Sequence, residues 1–186
     1  MKSKAFQLMA MGLIGAGLLV LGMLAMIMLP KPEASAGSTG ESPAIPARVE
    51  FYAPALVLHD LDGRSVSLSD YPGQVVLVNN WATWCPPCKE EMPALQAFYE
   101  DHQHQDFTII AIEAGEPVAE VAQFVAAYGL TFPVWPDPDQ QAAAAFHNPA
   151  LPNSYVIDKN GTVRLVWMGG VDQATLEKYV TPILEE

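Results

Sequence analysis

The spacing of apolar and polar residues changes several times along the chain, and each change marks an element. Residues 5–29 are an uncharged run of Leu, Met, Ala, Gly and Ile, longer than the ~20 residues that a helix needs to span a hydrocarbon core. Residues 30–50 are mostly Pro, Ala, Ser, Gly and Glu with few large apolar side chains, and read as a flexible linker. Beyond them the signals are those of a globular domain, residues 51–186. Residues 55–59 are a strand candidate, 60–63 a turn by their Asp and Gly content, and 64–68 alternate as the return strand of a hairpin. The β-branched run 75–78 predicts a strand buried on both faces. Met92, Leu95 and Tyr99, at spacings of three and four, predict a helix that starts at Cys85. Pro86 suits its first position, where a missing N–H has no intrahelical partner to lose. Pro93 is expected to kink or reset that helix.

The polar stretch 101–106 predicts a loop in which His102 and His104 are solvated. Residues 107–112 predict a second buried strand. Val118, Val121, Phe124 and Tyr128 give a helix over 117–128, with Gly129 as its C-cap. A short strand at 134–135 and an alanine-rich helix over 140–146 follow. Strands at 154–157 and 162–168 flank an Asp-Lys-Asn-Gly turn, and a closing helix over 172–184 turns Leu176, Tyr179, Val180 and Ile183 inward. This order predicts an α/β domain with a central mixed sheet flanked by helices.

Charge and cysteine count narrow the function. The formal net charge is −12 over 186 residues, with no basic patch and no stacking motif, which argues against nucleic-acid binding. Lys2 and Lys4 precede the long apolar run and Lys31 alone closely follows it, so the positive-inside rule puts the N-terminus in the cytoplasm. A cleaved signal peptide has an apolar region of only about 7–15 residues, which favours a retained anchor over 1–29. Against it stands Ala34-Ser35-Ala36, which resembles a signal-peptidase site. The expectation is a single-pass protein of the cytoplasmic membrane whose C-terminal domain lies outside the cytoplasm, where disulfide chemistry is possible. The linker, at roughly 25 Å end to end, would let that domain turn over above the bilayer.

Cys85 and Cys88 are the only cysteines. A sulfur at a helix start lies near unpaired backbone N–H groups and the positive end of the helix dipole, which favour thiolate. Cys85 is therefore expected to be the more exposed, attacking sulfur, and Cys88, one turn inside, to resolve a mixed disulfide. A four-cysteine zinc site within one chain is excluded, His102 and His104 have the wrong spacing for ligands, and a purely structural disulfide is the remaining alternative. No metal or other cofactor is expected.

Four segments carry a family resemblance: residues 60–70 (Asp-Leu-Asp-Gly-Arg-Ser-Val-Ser-Leu-Ser-Asp), 81–93 (Trp-Ala-Thr-Trp-Cys-Pro-Pro-Cys-Lys-Glu-Glu-Met-Pro), 128–134 (Tyr-Gly-Leu-Thr-Phe-Pro-Val) and 151–158 (Leu-Pro-Asn-Ser-Tyr-Val-Ile-Asp). Together they resemble the membrane-tethered thioredoxin-like thiol–disulfide oxidoreductases, the group that includes TlpA, ResA and CcmG. The resemblance implies a thioredoxin-like fold with an N-terminal β-hairpin and a helical insert after the active-site helix. It implies a Cys85–Cys88 redox disulfide, a cis Leu151–Pro152 peptide facing it, and substrate contacts from Trp84, Pro86, Pro87, Leu151 and Pro152. It also matches Glu91 to a family glutamate near the cysteines. On physical grounds Glu91 either relays the proton of Cys88 or is a solvated first-turn glutamate favoured by the helix N-terminus. Asn80, Ala150 and Asn153 depart from the family pattern. The implied partners are client proteins with disulfides, apocytochrome c among them, and a membrane thiol electron donor.

The residues between the cysteines bear on direction. Pro86 and Pro87 offer no N–H to the Cys85 sulfur, and Glu90 and Glu91 add negative potential, with Lys89 a weak counterweight. Less thiolate stabilisation means a more reducing couple, nearer the roughly −270 mV of thioredoxin than the about −120 mV of a strong oxidant. A dithiol reductase is the leading reading. A disulfide-forming oxidase and a copper-binding chaperone on the same fold are the alternatives, while the lack of a threonine three residues before Cys85 argues against a peroxidase.

Overall fold

The β-branched run at residues 75–78 extends into a longer strand at the centre of a sheet, in a computed structural model that describes residues 44–186. In chain order the elements are β1 (Ala47–Tyr52), β2 (Val57–His59), β3 (Ser65–Ser67), β4 (Val75–Trp81), α1 (Pro86–His102) and β5 (Phe107–Ala114). Then come α2 (Val118–Tyr128), β6 (Val134–Asp137), α3 (Gln141–Ala145), β7 (Asn153–Ile157), β8 (Thr162–Met168), α4 (Gln173–Tyr179) and α5 (Thr181–Leu184). The anchor expected over 1–29 and the linker up to residue 43 lie outside the described residues. No helix among the described residues is long and apolar enough to cross a membrane.

Six strands form one mixed sheet in the order β1-β8-β7-β4-β5-β6, and β2 and β3 pair as a separate hairpin. β4, β5 and β6 run parallel, while β7 pairs antiparallel with β4 and β8 with β7. Successive side chains of a strand point to opposite faces, so β4 and β5 each feed two cores. Val75, Leu77, Trp81, Ile109 and Ala111 join one cluster with Met92, Leu95 and Phe98 of α1, Val121 of α2 and Leu176 of α4. Val76, Val78, Ile110 and Ile112 join the other, with Leu56 and Leu58 from the hairpin and Ala142 of α3. The mixed α/β architecture, the N-terminal hairpin and the helices between β5 and β7 agree with the thioredoxin-like expectation. The insert also carries an edge strand, β6.

Four local expectations need correction. Residues 47–50, assigned to the linker, belong to β1, which pairs antiparallel with β8; almost every side chain of β1 is exposed, so no buried stripe announced it. α1 runs on through Pro93, because the buried Met92 and Leu95 beside it hold the inward face, which outweighs the one intrahelical bond a proline removes. His102 is not solvated. It ends α1 and is buried, with its ring 4.3 Å from that of Phe98 and Nε2 3.3 Å from Glu177 Oε1. The closing helix is two, α4 and α5, because Pro182 lacks an N–H and its ring clashes with the carbonyl four residues back. Gly129 caps α2 in the left-handed conformation, φ 65°, as its position predicts.

Candidate active site

The centre of the site is the junction of β4 and α1. After Trp81 the chain makes a turn closed by the Cys85 N–H donating to the Ala82 carbonyl at 3.2 Å, and Cys85 becomes the N-cap of α1. Pro86 and Pro87 fill the first two helical positions, as expected for Pro86. Pro87, at the second position, removes one of the two N–H groups that a cap draws on and leaves that of Cys88, and the Cys85 side chain makes no capping hydrogen bond. Cys85 and Cys88 are joined in a disulfide with their Cα atoms 5.3 Å apart. Cys85 is the more accessible of the two, as expected, but only at 3% in this bonded form against 0% for Cys88. Both belong to the apolar cluster on the α1 face of the sheet.

Glu91 lies one turn beyond Cys88 and is 1% accessible, which removes the solvated reading. Asn79, in β4, donates through Nδ2 to Glu91 Oε1 at 2.8 Å, and the Val171 N–H donates to Oε2 at 3.1 Å. Asn79 Nδ2 also reaches Ser154 Oγ at 3.0 Å, its partner in β7. Burial pushes the Glu91 carboxyl up to about 8 against the pull of these two donors. The expectation that Glu91 adds negative potential is corrected accordingly, since near neutral pH it is mainly the uncharged acid.

The Leu151–Pro152 peptide is cis, as the resemblance implied. Leu151 packs against the cluster that holds the cysteines and shares a cavity of about 130 Å³ with Trp84, Asn80, Asn148 and Pro149. Trp84 is 64% exposed beside it. Pro152 is buried, Pro86 is exposed, and Pro87 is half-buried with its carbonyl 3.4 Å from where a Cβ on Gly170 would sit. The two departures Asn80 and Asn153 are partners: Asn80 Nδ2 donates to Asn153 Oδ1 at 2.7 Å, and Asn153 Nδ2 donates to the Ala150 carbonyl. The pair ties β4 to the loop before the cis-proline and gives partners to three of its four buried amide groups, Asn80 Oδ1 being the exception.

Two acidic residues went unread. Glu113, the last residue but one of β5, is at 0% accessibility, and Glu116 lies three residues beyond it. Glu116 Oε2 accepts the Thr83 N–H at 2.7 Å, and its Oε1 accepts the Thr83 hydroxyl. A signal for Glu113 was present, because it is in phase with Ile109 and Ala111 along a buried strand and so must point inward.

Residues 49–166 match the AhpC/TSA family. The chain is 39% identical over 131 residues to the thiol-disulfide oxidoreductase ResA of Geobacillus thermodenitrificans, an alignment covering 70% of this chain and 75% of the relative. The Bacillus subtilis protein of the same description is 36% identical over 131 residues, 70% of this chain and 73% of that one. Among solved structures, a thiol:disulfide interchange protein of the thioredoxin family from Chlorobium tepidum superposes with a TM-score of 0.65 at 27% identity, over 74% of this chain and 99% of that one. With the Cys85–Cys88 disulfide at a helix N-terminus, these likenesses place the chain in the AhpC/TSA family, among its thioredoxin-like thiol–disulfide oxidoreductases.

Proposed function

We propose that this thiol–disulfide oxidoreductase works in the reducing direction, with Cys85 as nucleophile and Cys88 as resolving thiol. The Cys85 thiolate attacks one sulfur of a client disulfide, the other client sulfur leaves as a thiolate, and a mixed disulfide forms. Cys88 then gives up its proton and attacks Cys85. The client departs with both sulfurs reduced, and the enzyme holds the Cys85–Cys88 disulfide. Glu91 is the proton acceptor for Cys88 in its ionised fraction, which is the minority form near neutral pH and grows as pH approaches about 8. A glutamate at its ordinary value is about four pH units too weak a base for a thiol near 8.5, whereas one at about 8 is matched to within about a unit.

One observation carries the direction. Both residues that follow the Cys85 cap are prolines, so the helix end offers its sulfur fewer N–H donors than an ordinary first turn would. A Cys85 thiolate so poorly supplied with donors is weakly stabilised, and a less stabilised reduced form is a stronger reductant. Trp84, Pro86, Pro87, Leu151 and Pro152 would meet the client. Trp84 and Leu151 share a cavity rim, which supports an extended peptide lying beside the cis-proline and pairing with the Leu151 backbone. In this reading residues 1–29 anchor the protein in the cytoplasmic membrane, residues 30–46 tether it, and the domain that begins with β1 acts outside the cytoplasm. Its clients are disulfide-bearing proteins, the haem-attachment cysteines of apocytochrome c among them, and a membrane dithiol donor returns the electron pair.

The test is the midpoint potential of the Cys85–Cys88 couple in a dithiol redox buffer, with a Cys88→Ser variant used to trap clients as mixed disulfides. A potential near about −270 mV agrees with the proposal, and one above about −180 mV reverses the direction. Trapped partners that lack cysteine pairs would remove the client assignment.

A further inference from the structure

We propose that Glu113 is a positioning residue for the thiol–disulfide reaction. As a neutral acid it donates a hydrogen bond to the Glu116 carboxylate, and Glu116 holds Thr83, so that the pair clamps the turn presenting Trp84 and Cys85. Thr83 lies two residues before Cys85 in the turn closed by the Cys85 N–H and the Ala82 carbonyl. Both its N–H and its hydroxyl go to the two oxygens of Glu116. Those oxygens serve only as acceptors, so the adjoining group must be a donor. Glu113 is that neighbour: its Oε2 accepts the Glu116 N–H at 3.2 Å, which sets the two carboxyls beside each other so that each shifts the other's proton affinity. No N–H or O–H among the described residues reaches the buried Glu113 Oε1, so a charge on it would go unmet and the protonated form is favoured.

The groups facing Glu113 from other elements agree with this. Trp81 of β4 and Pro136 of β6 flank it in the sheet and bring no charge. Asp137, at the end of β6, is a second carboxylate nearby, held by the Gln141 and Ala142 N–H groups, and its field also opposes a charge on Glu113. Lys89 of α1 acts on Glu116 and favours its ionised form. Burial and the bond with Glu116 together push Glu113 up to about 8, with the Glu116 N–H pulling the other way. Burial also raises Glu116, but Thr83 and Glu113 outweigh it and hold Glu116 below the usual glutamate range. One proton shared by two carboxyls is thus assigned to Glu113. As pH rises through about 8 that proton leaves, two carboxylates face each other, and the hold on Thr83 loosens.

The inference rests on Cys85 being the reacting sulfur, and the test separates the two. The full-length chain in the disulfide form is followed from pH 6 to 9.5 by hydrogen–deuterium exchange at Thr83, read as protection relative to the free peptide. In parallel, the rate at which dithiothreitol opens the disulfide is expressed per dithiothreitol thiolate. In the wild type, Thr83 protection falls about tenfold above pH 8, as expected for losing a hydrogen bond to a charged group, and disulfide opening speeds up in step as Cys85 gains exposure. Glu113→Gln keeps a donor for Glu116 but cannot ionise, so both steps vanish and protection stays at its neutral-pH level. Glu113→Leu removes the donor and lowers Thr83 protection about tenfold at every pH. A wild-type pH profile in Glu113→Gln overturns the inference, and so does full Thr83 protection in Glu113→Leu; if the Leu variant does not fold, the Gln profile decides. A wild-type disulfide that dithiothreitol cannot open at any pH would instead refute Cys85 as the reacting sulfur, and Thr83 exchange alone would then judge Glu113.

Discussion

Replacing Glu91 by Gln gives a stability change whose sign depends on pH. In the folded protein the Glu91 carboxyl keeps its proton up to about 8, whereas in the unfolded chain it releases it near 4.5. Between those values the native state binds a proton that the unfolded state has lost, so stability falls as pH rises across the window and levels off above it. From pH 5 to pH 8 the loss assigned to this one group is on the order of 3 kcal/mol. Gln cannot ionise, so the variant lacks that slope. It carries a separate penalty that does not vary with pH. Asn79 Nδ2 and the Val171 N–H both point donors at Glu91, and an amide has only one oxygen to offer them. One unmet buried donor costs about 1–3 kcal/mol. The variant is therefore expected to be less stable than, or level with, wild type at pH 5 and more stable at pH 8. Urea denaturation of the disulfide form at pH 5, 6.5 and 8 measures the difference. Parallel stability–pH curves for the two proteins would refute the burial argument. In the reduced enzyme the same substitution should shift the cysteine titrations, and unchanged thiol pKa values would remove Glu91 from the mechanism.

Two further substitutions probe the frame of the site. Asn80→Leu leaves Asn153 Oδ1 without its donor at a buried position and should destabilise the protein by about 1–3 kcal/mol in thermal or urea unfolding, while slowing client reduction through the loosened cis-proline loop; unchanged stability would show that the pair is not coupled to folding. Gly170→Val sets a branched side chain where a single Cβ already comes to 3.4 Å from the Pro87 carbonyl, and should displace the start of α1 and shift the midpoint potential of the disulfide; an unaltered potential would mean that the turn yields without disturbing Cys85.

Much of the frame was legible along the chain because its signals are local. A β-branched run, a helical spacing and a proline at the first helical position depend on neighbours a few residues away, and they placed β4, the Cys85 cap and the hairpins before any contact was known. The break at Pro182 is a local signal too, but the apolar spacing of Leu176, Val180 and Ile183 runs straight across it and predicts one helix. β1 was missed because an edge strand with exposed side chains has no buried stripe to show.

What tertiary structure decided is the electrostatic state of the site. Glu91 meets Val171, 80 positions away, Asn80 meets Asn153, 73 positions away, and Thr83 meets Glu116, 33 positions away. No local pattern encodes those distances. A carboxyl's proton affinity depends on which donors, charges and apolar walls close around it, so the sequence by itself determined where the sulfurs sit in the chain, and only packing decided which acids beside them keep their protons.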